Sequence, residues 1–105
     1  MFEIFKKLFS QKESSQLENR IKEGAFLVDV RNPDEFLSAH VKGSVNIPLG
    51  QIQNQLDKFE DKNHIIVFCR SGMRSSQAKS ILEQNGFVNV INGGSWKSIN
   101  RLAAK

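Results

Sequence analysis

Ile65, Ile66, Val67 and Phe68 run without interruption into the only cysteine of the chain, Cys69, which is followed by Arg-Ser-Gly-Met-Arg. Four successive apolar, β-favouring residues closed by a glycine-containing turn predict a buried strand, and the pattern after the turn predicts a helix. A thiol is therefore expected at a strand end that faces a helix N-terminus. Arg70 and Arg74 flank it within five residues. Backbone N–H groups and fixed positive charge then both converge on one sulfur atom, and a stabilised thiolate is the expected result.

Helices and strands alternate on either side of this stretch. Ser15 and Glu18 have capping-box spacing, Leu17 and Ile21 repeat at i, i+4, and Gly24 is placed to stop a helix predicted over residues 16–23. Residues 25–30 (AFLVDV) predict a short strand with Asp29 near its end and Arg31 just beyond. Asn32 as cap, Pro33 at the first helical position and Glu35 three residues after the cap open a second helix that ends near His40. Gly43 and Pro48 bracket an extended piece over residues 44–47, and Ile52, Leu56 and Phe59 mark a weak helix. Beyond the central strand, Ala78, Ile81 and Leu82 form the core stripe of a helix over residues 73–85, closed by Gly86. Residues 87–91 predict the last strand, Gly93-Gly94 a tight turn, and residues 96–104 a final helix.

Such short alternation predicts an α/β fold: a parallel sheet of four or five strands, helices on both faces, and right-handed crossovers. Ligands of such sheets sit at the carboxyl ends of the strands. Asp29, Arg31, Cys69 and the Gly93-Gly94 turn are all expected there.

At 105 residues the chain is sized for one core, and no apolar run approaches the roughly 20 residues of a membrane span. A single cysteine forms no internal disulfide, which fits a reducing compartment; with no signal-type cleavage site near the start, a cytoplasmic location is expected. Cys69, His40 and His64 lie too far apart in sequence to suggest a metal site. The net charge of +4 is uneven: residues 1–24 carry +1, residues 25–64 carry −2 and residues 65–105 carry +5. The excess surrounds Cys69 in sequence and favours an anionic ligand. Nucleic acid is disfavoured because the basic residues form no runs and do not interleave with aromatics. In residues 1–13, Met1, Phe2, Ile4, Phe5, Leu8 and Phe9 share one half of a helical wheel. That predicts an amphipathic arm or leader ahead of a domain over residues 14–105, packed on it or frayed in preference to touching a membrane or partner, since two lysines make a weak anchor.

LVDVRNPDEF followed by AHVKGSVNIPL, and then IIVFCRSGMRSSQAKSILEQNGFVNVINGGSW, resemble in order the two signatures of the single-domain rhodaneses, a family of sulfurtransferases. The resemblance covers roughly residues 14–98. It implies a rhodanese-like three-layer α/β sandwich in which Cys69 is the nucleophile. Cys69 would take sulfane sulfur from thiosulfate or a similar small anionic donor, hold it as a persulfide, and pass it to cyanide or a thiol, a protein thiol included. The loop Arg70, Ser71, Gly72, Met73 and Arg74 would cradle the persulfide. No metal or organic cofactor is implied, and a monomer is expected. Ala39 stands where the family commonly has glycine before His40, and Trp96 follows the double glycine sooner than usual.

Physical chemistry supports the same roles. Amide N–H groups of residues 70–74 would stabilise both the thiolate and the outer sulfur of the persulfide, and Arg70 and Arg74 would hold the sulfonate end of thiosulfate. Related cysteine-dependent phosphatases and arsenate reductases place five residues between cysteine and arginine. Here four residues separate Cys69 from Arg74, and Ser75 stands where that arginine belongs. The smaller cradle suits sulfur over a phosphate-sized oxyanion, leaving phosphatase or arsenate chemistry as the weaker alternative. A persulfide carrier serving a protein partner is a further alternative, and a buried structural cysteine is the bland one. Asp29 and Arg31 are expected to pair and tie down the strand end in preference to facing substrate. His40 is expected to anchor a loop, Ser75 to support the site, and Trp96 to belong to the core.

Overall fold

The computed structural model describes residues 14–105, so the expectations for residues 1–13 lie outside the described residues. The elements in order are α1 (Ser14–Lys22), β1 (Phe26–Asp29), α2 (Pro33–Ser38), β2 (Val45–Asn46), a 3₁₀ helix (Leu49–Phe59), β3 (Ile65–Cys69), α3 (Met73–Gln84), β4 (Val90–Ser95) and α4 (Trp96–Ala103). The strands form one parallel sheet in the order β2-β1-β3-β4. β3 is hydrogen-bonded on both edges and all five of its residues are buried. Its uninterrupted apolar run is what a strand covered on both faces requires.

Successive side chains of a strand point to opposite faces, so the sheet builds two cores. Ile65, Val67 and Cys69 pack with Ile52 and Phe59 of the 3₁₀ helix and with Leu82 of α3. Ile66 and Phe68 pack on the other face with Leu17 of α1 and Ile99 of α4. The result is the expected three-layer α/β sandwich. Among the described residues no helix is long and apolar enough to cross a membrane.

Local signals account for most boundaries. Gly24 and Gly86 adopt φ +91° and +94° where α1 and α3 end, a left-handed conformation that glycine reaches without steric cost. Pro33 opens α2, and the Glu35 carboxylate accepts from the Asn32 backbone N–H at 3.0 Å. Ser15, expected as a cap, lies inside α1, because the helix is already formed at Ser14. The segment around Ile52 and Phe59 is helical but breaks at Gln55 (φ −129°, ψ 33°), and the weak pattern there yields 3₁₀ geometry.

The last strand departs most from expectation. It spans Val90–Ser95, not residues 87–91, and Gly93 and Gly94 lie within it as a bulge in place of a turn. Asn92 lies opposite Val67 while Gly94 lies opposite Phe68, so Gly93 is the extra residue. A Cβ on Gly93 would approach Ile66 Cγ2 and Ile99 Cδ1 to 2.8 Å each, and Gly94 has φ +81°. Close packing requires the first glycine and left-handed backbone the second. We expect Gly93→Ala to cost about 1–3 kcal/mol of unfolding free energy through overpacking. Gly50→Ala, whose Cβ meets nothing within 4 Å, should cause no such loss; urea denaturation of both variants checks the contrast.

Candidate functional site

β3 ends at Cys69, α3 starts at Met73, and the three residues between them must reverse the chain. Gly72 makes this possible. It caps α3 with φ +100° and ψ −8°, and a Cβ there would sit 3.4 Å from Gly94 Cα. The turn aims its own donors back at the sulfur: the Gly72 N–H reaches Cys69 Sγ at 3.0 Å, and Ser75 Oγ lies 3.5 Å from it. Burial pushes the Cys69 thiol up. Hydrogen bonds from the Ser75 hydroxyl and from the backbone N–H groups of Ser75, Ser71 and Gly72 outweigh it and bring the pKa down to about 7. Cys69 is only 1% exposed, so the donors work in a partly dry setting where each counts for more.

The Arg74 guanidinium donates to Glu35 at 2.7 and 3.1 Å, fastening α3 to α2, and stays within electrostatic reach of Cys69. Arg74, followed by the Asn32 N–H, holds the Glu35 carboxyl down at about 2. Arg70 is exposed, with no hydrogen bond or ion pair among the described residues. Met73 is 75% exposed and Ser71 is exposed.

Asp29 and Arg31 form the pair expected of them. Arg31 Nε donates to Asp29 at 3.0 Å, Nη2 at 2.7 Å, and the Arg31 backbone N–H adds a third donor at 2.9 Å. The guanidinium also donates to the Ala39 carbonyl at 2.7 Å and lies over the Trp96 ring, 4.6 Å from its centroid. Asp29 is fully buried and Arg31 is 4% exposed, and no buried side-chain polar atom of the described residues lacks a partner. Ala39 serves here through its carbonyl, which alanine supplies as glycine would. Trp96 is half-buried beneath Arg31 and packed against the second core. His40 is exposed, with Nδ1 2.7 Å from the Phe36 carbonyl and its ring stacked on Phe36 at 3.9 Å, a local anchor for the end of α2.

Two contributors were not singled out from spacing. Glu35 has a capping signature, but its pairing with Arg74 across 39 residues has no local signal. Asn92 is the other. Its Oδ1 accepts from the Ser75 hydroxyl at 2.7 Å and from the Gly94 N–H at 3.0 Å, and its Nδ2 donates to the Gly72 carbonyl at 3.2 Å. An asparagine in a strand beside two glycines was the available signal, since asparagine is a poor strand former.

A cysteine cupped by loop amides at the carboxyl end of a parallel three-layer sandwich defines a cysteine-centred α/β protein. The chain belongs to the rhodanese-like domain family, whose model matches residues 13–101. It is 39% identical over 74 residues to the thiosulfate sulfurtransferase PspE of Escherichia coli, covering 69% of this chain and 71% of that protein. It is 30% identical over 82 residues to a sulfurtransferase of Allochromatium vinosum, covering 76% and 77% of the two chains. Among solved structures, a rhodanese with anions from E. coli matches with a TM-score of 0.66 at 32% identity, over 71% of this chain and 91% of that one.

Two outcomes follow from the local electrostatics. The rate of iodoacetamide alkylation of Cys69 should rise with pH through a midpoint near 7, well below that of an ordinary thiol. Glu35 has its carboxyl lowered on folding, so its contribution to stability is complete above its ordinary 4.5 and is lost as pH falls toward 2. Glu35→Gln should thus be less stable than the parent at pH 7, by about 0.5–1 kcal/mol for a partly exposed pair. Urea unfolding at pH 7 and pH 2.5 should show that gap shrinking at the lower pH.

Proposed function

We propose that the protein is a sulfurtransferase that carries sulfane sulfur from thiosulfate or a similar anionic donor to a thiophilic acceptor through a Cys69 persulfide. The observation that carries this reading is the convergence of loop N–H groups on a buried cysteine sulfur, with the Gly72 N–H at 3.0 Å and the thiol near neutrality. Relatives named as sulfurtransferases support the chemistry at the level of reaction class.

The steps balance without a cofactor. The Cys69 thiolate attacks the outer sulfur of thiosulfate; a new S–S bond forms, the old one breaks, and sulfite leaves with the electron pair. Cys-S-S⁻ remains, its charge on the outer sulfur, within reach of the same loop donors. Cyanide or a thiolate then takes the outer sulfur and returns Cys69 as thiolate. Arg74 is engaged by Glu35, so the guanidinium available to a sulfonate is that of Arg70, adjacent to Cys69 in the chain. Ser75 stands where a phosphatase-type loop needs its arginine, and its hydroxyl is engaged with Asn92, which favours sulfur over an oxyanion of phosphate size.

A groove of about 850 Å³ runs beside the loop and is lined in part by Ser71, Met73, Asn92, Arg101 and Leu102. It is far larger than a five-atom donor needs and lies in the size range of sites for much bigger ligands. That space supports a thiol on a larger molecule, a protein included, as an acceptor alongside cyanide.

Incubation with thiosulfate is expected to add one sulfur atom to the intact mass, and cyanide to remove it as thiocyanate. Cys69→Ser should do neither. Failure of the parent protein to gain sulfur from thiosulfate would overturn this reading, whereas loading followed by faster discharge to a cysteine peptide than to cyanide would make carriage its main role.

A further inference from the structure

The Ser75 hydroxyl stands between two acceptors and has one proton. Asn92 Oδ1 lies 2.7 Å from Ser75 Oγ, and Cys69 Sγ lies 3.5 Å from it on the other side. In the neutral state the bookkeeping closes: the thiol S–H donates to Ser75 Oγ, and the Ser75 O–H donates to Asn92 Oδ1. Ionisation removes the S–H and creates a strong acceptor at the sulfur. The hydroxyl then turns to Sγ, and Asn92 Oδ1 keeps only the Gly94 N–H, 3.0 Å away.

The remaining surroundings leave this choice to Ser75. The charged groups around Cys69 are paired elsewhere: Arg74 of α3 with Glu35 of α2, and Asp29 with Arg31 at the end of β1. Arg70 is exposed, as are Lys97 and Arg101 of α4. None of them forms a hydrogen bond to Sγ among the described residues, where the sulfur is served by the Gly72 N–H, by Ser75 Oγ and by the backbone N–H groups of Ser71 and Ser75. β4 presents to the Ser75 hydroxyl an uncharged amide, Asn92.

We infer that Asn92 is a positioning residue for Cys69, whose side-chain oxygen accepts the Ser75 hydroxyl's hydrogen bond while the sulfur is a neutral thiol and releases it when the thiolate forms. No proton leaves the serine; the hydroxyl rotates. When the thiolate becomes a persulfide, negative charge moves to the outer sulfur and the hydroxyl swings back to Asn92. Asn92 Oδ1 thus opposes ionisation of Cys69, although its Nδ2–H, donated to the Gly72 carbonyl, helps hold the loop whose amide supports it. This deepens the proposed function and rests on Cys69 working as a thiolate, yet its test uses no sulfur donor.

The two roles of Asn92 predict opposite signs, and the pH profile of Cys69 alkylation by iodoacetamide separates them. Asn92→Leu deletes the competing acceptor, so the midpoint should fall, raising alkylation at pH 6 about threefold. If Asn92 only braced the loop, the same change would disorder the Gly72 donor and raise the midpoint. Asn92→Asp, a stronger and charged acceptor without the Nδ2 donor, should lower alkylation at pH 6 about tenfold. Ser75→Ala should raise the midpoint and cancel the gain from Asn92→Leu in the double variant. A midpoint that rises or stays fixed in Asn92→Leu, or one that falls equally in the Ser75→Ala background, overturns the inference. Where Asn92→Leu does not fold, Asn92→Ala reads the same sign. Because a protein unable to accept sulfur from thiosulfate still shows these shifts, failure of the proposed function and failure of this inference remain distinguishable.

Discussion

A strand buried on both faces and paired on both edges leaves its backbone no freedom, and β3 is such a strand from Ile65 to Cys69. Its two rows of side chains oblige one helical layer to cover Ile65, Val67 and Cys69 and another to cover Ile66 and Phe68. β1 and β4 flank it in parallel, so the chain must cross over a helical layer between strands. The same constraint delivers function. A strand held this firmly can end at a fixed point, and the sulfur of Cys69 is that point.

What surrounds the sulfur is mostly neutral dipoles, and this shifts the physical picture of its activation. Charge near the thiol is abundant in sequence, but it is matched: buried Asp29 by Arg31, and partly exposed Glu35 by Arg74. Those pairs brace the ends of β1 and the start of α3 on which the loop rests. A thiol near neutrality then follows from short, oriented N–H and O–H donors, which need no counterion and lose little to salt.

Much of this was legible in the chain because it is encoded locally. The apolar run of β3, the stops at Gly24 and Gly86, and the Asn32–Pro33–Glu35 helix start each depend on residues within one or two turns of each other. The Asp29–Arg31 pair spans two residues and could be anticipated. The parts that were not legible are tertiary. Glu35 and Arg74 are joined only after α2 and α3 are brought together, and nothing in either neighbourhood announces the other. Gly93-Gly94 reads as a turn by composition, yet the crowding of Ile66 and Ile99 makes it a bulge inside β4. That misplacement also hid Asn92, whose role exists only once β4 lies beside β3.

The bond from Asn92 to the Gly72 carbonyl joins residues 20 positions apart, and the Ser75 bond joins residues 17 apart. The cradle of the sulfur is therefore closed by a segment that is synthesised after the loop itself. Until β4 docks beside β3, the turn that aims the Gly72 N–H at the sulfur lacks its bond to Asn92, and Cys69 lacks the neighbouring strand that fixes its place. The donors that activate the thiol are thus in place only once the sheet is complete.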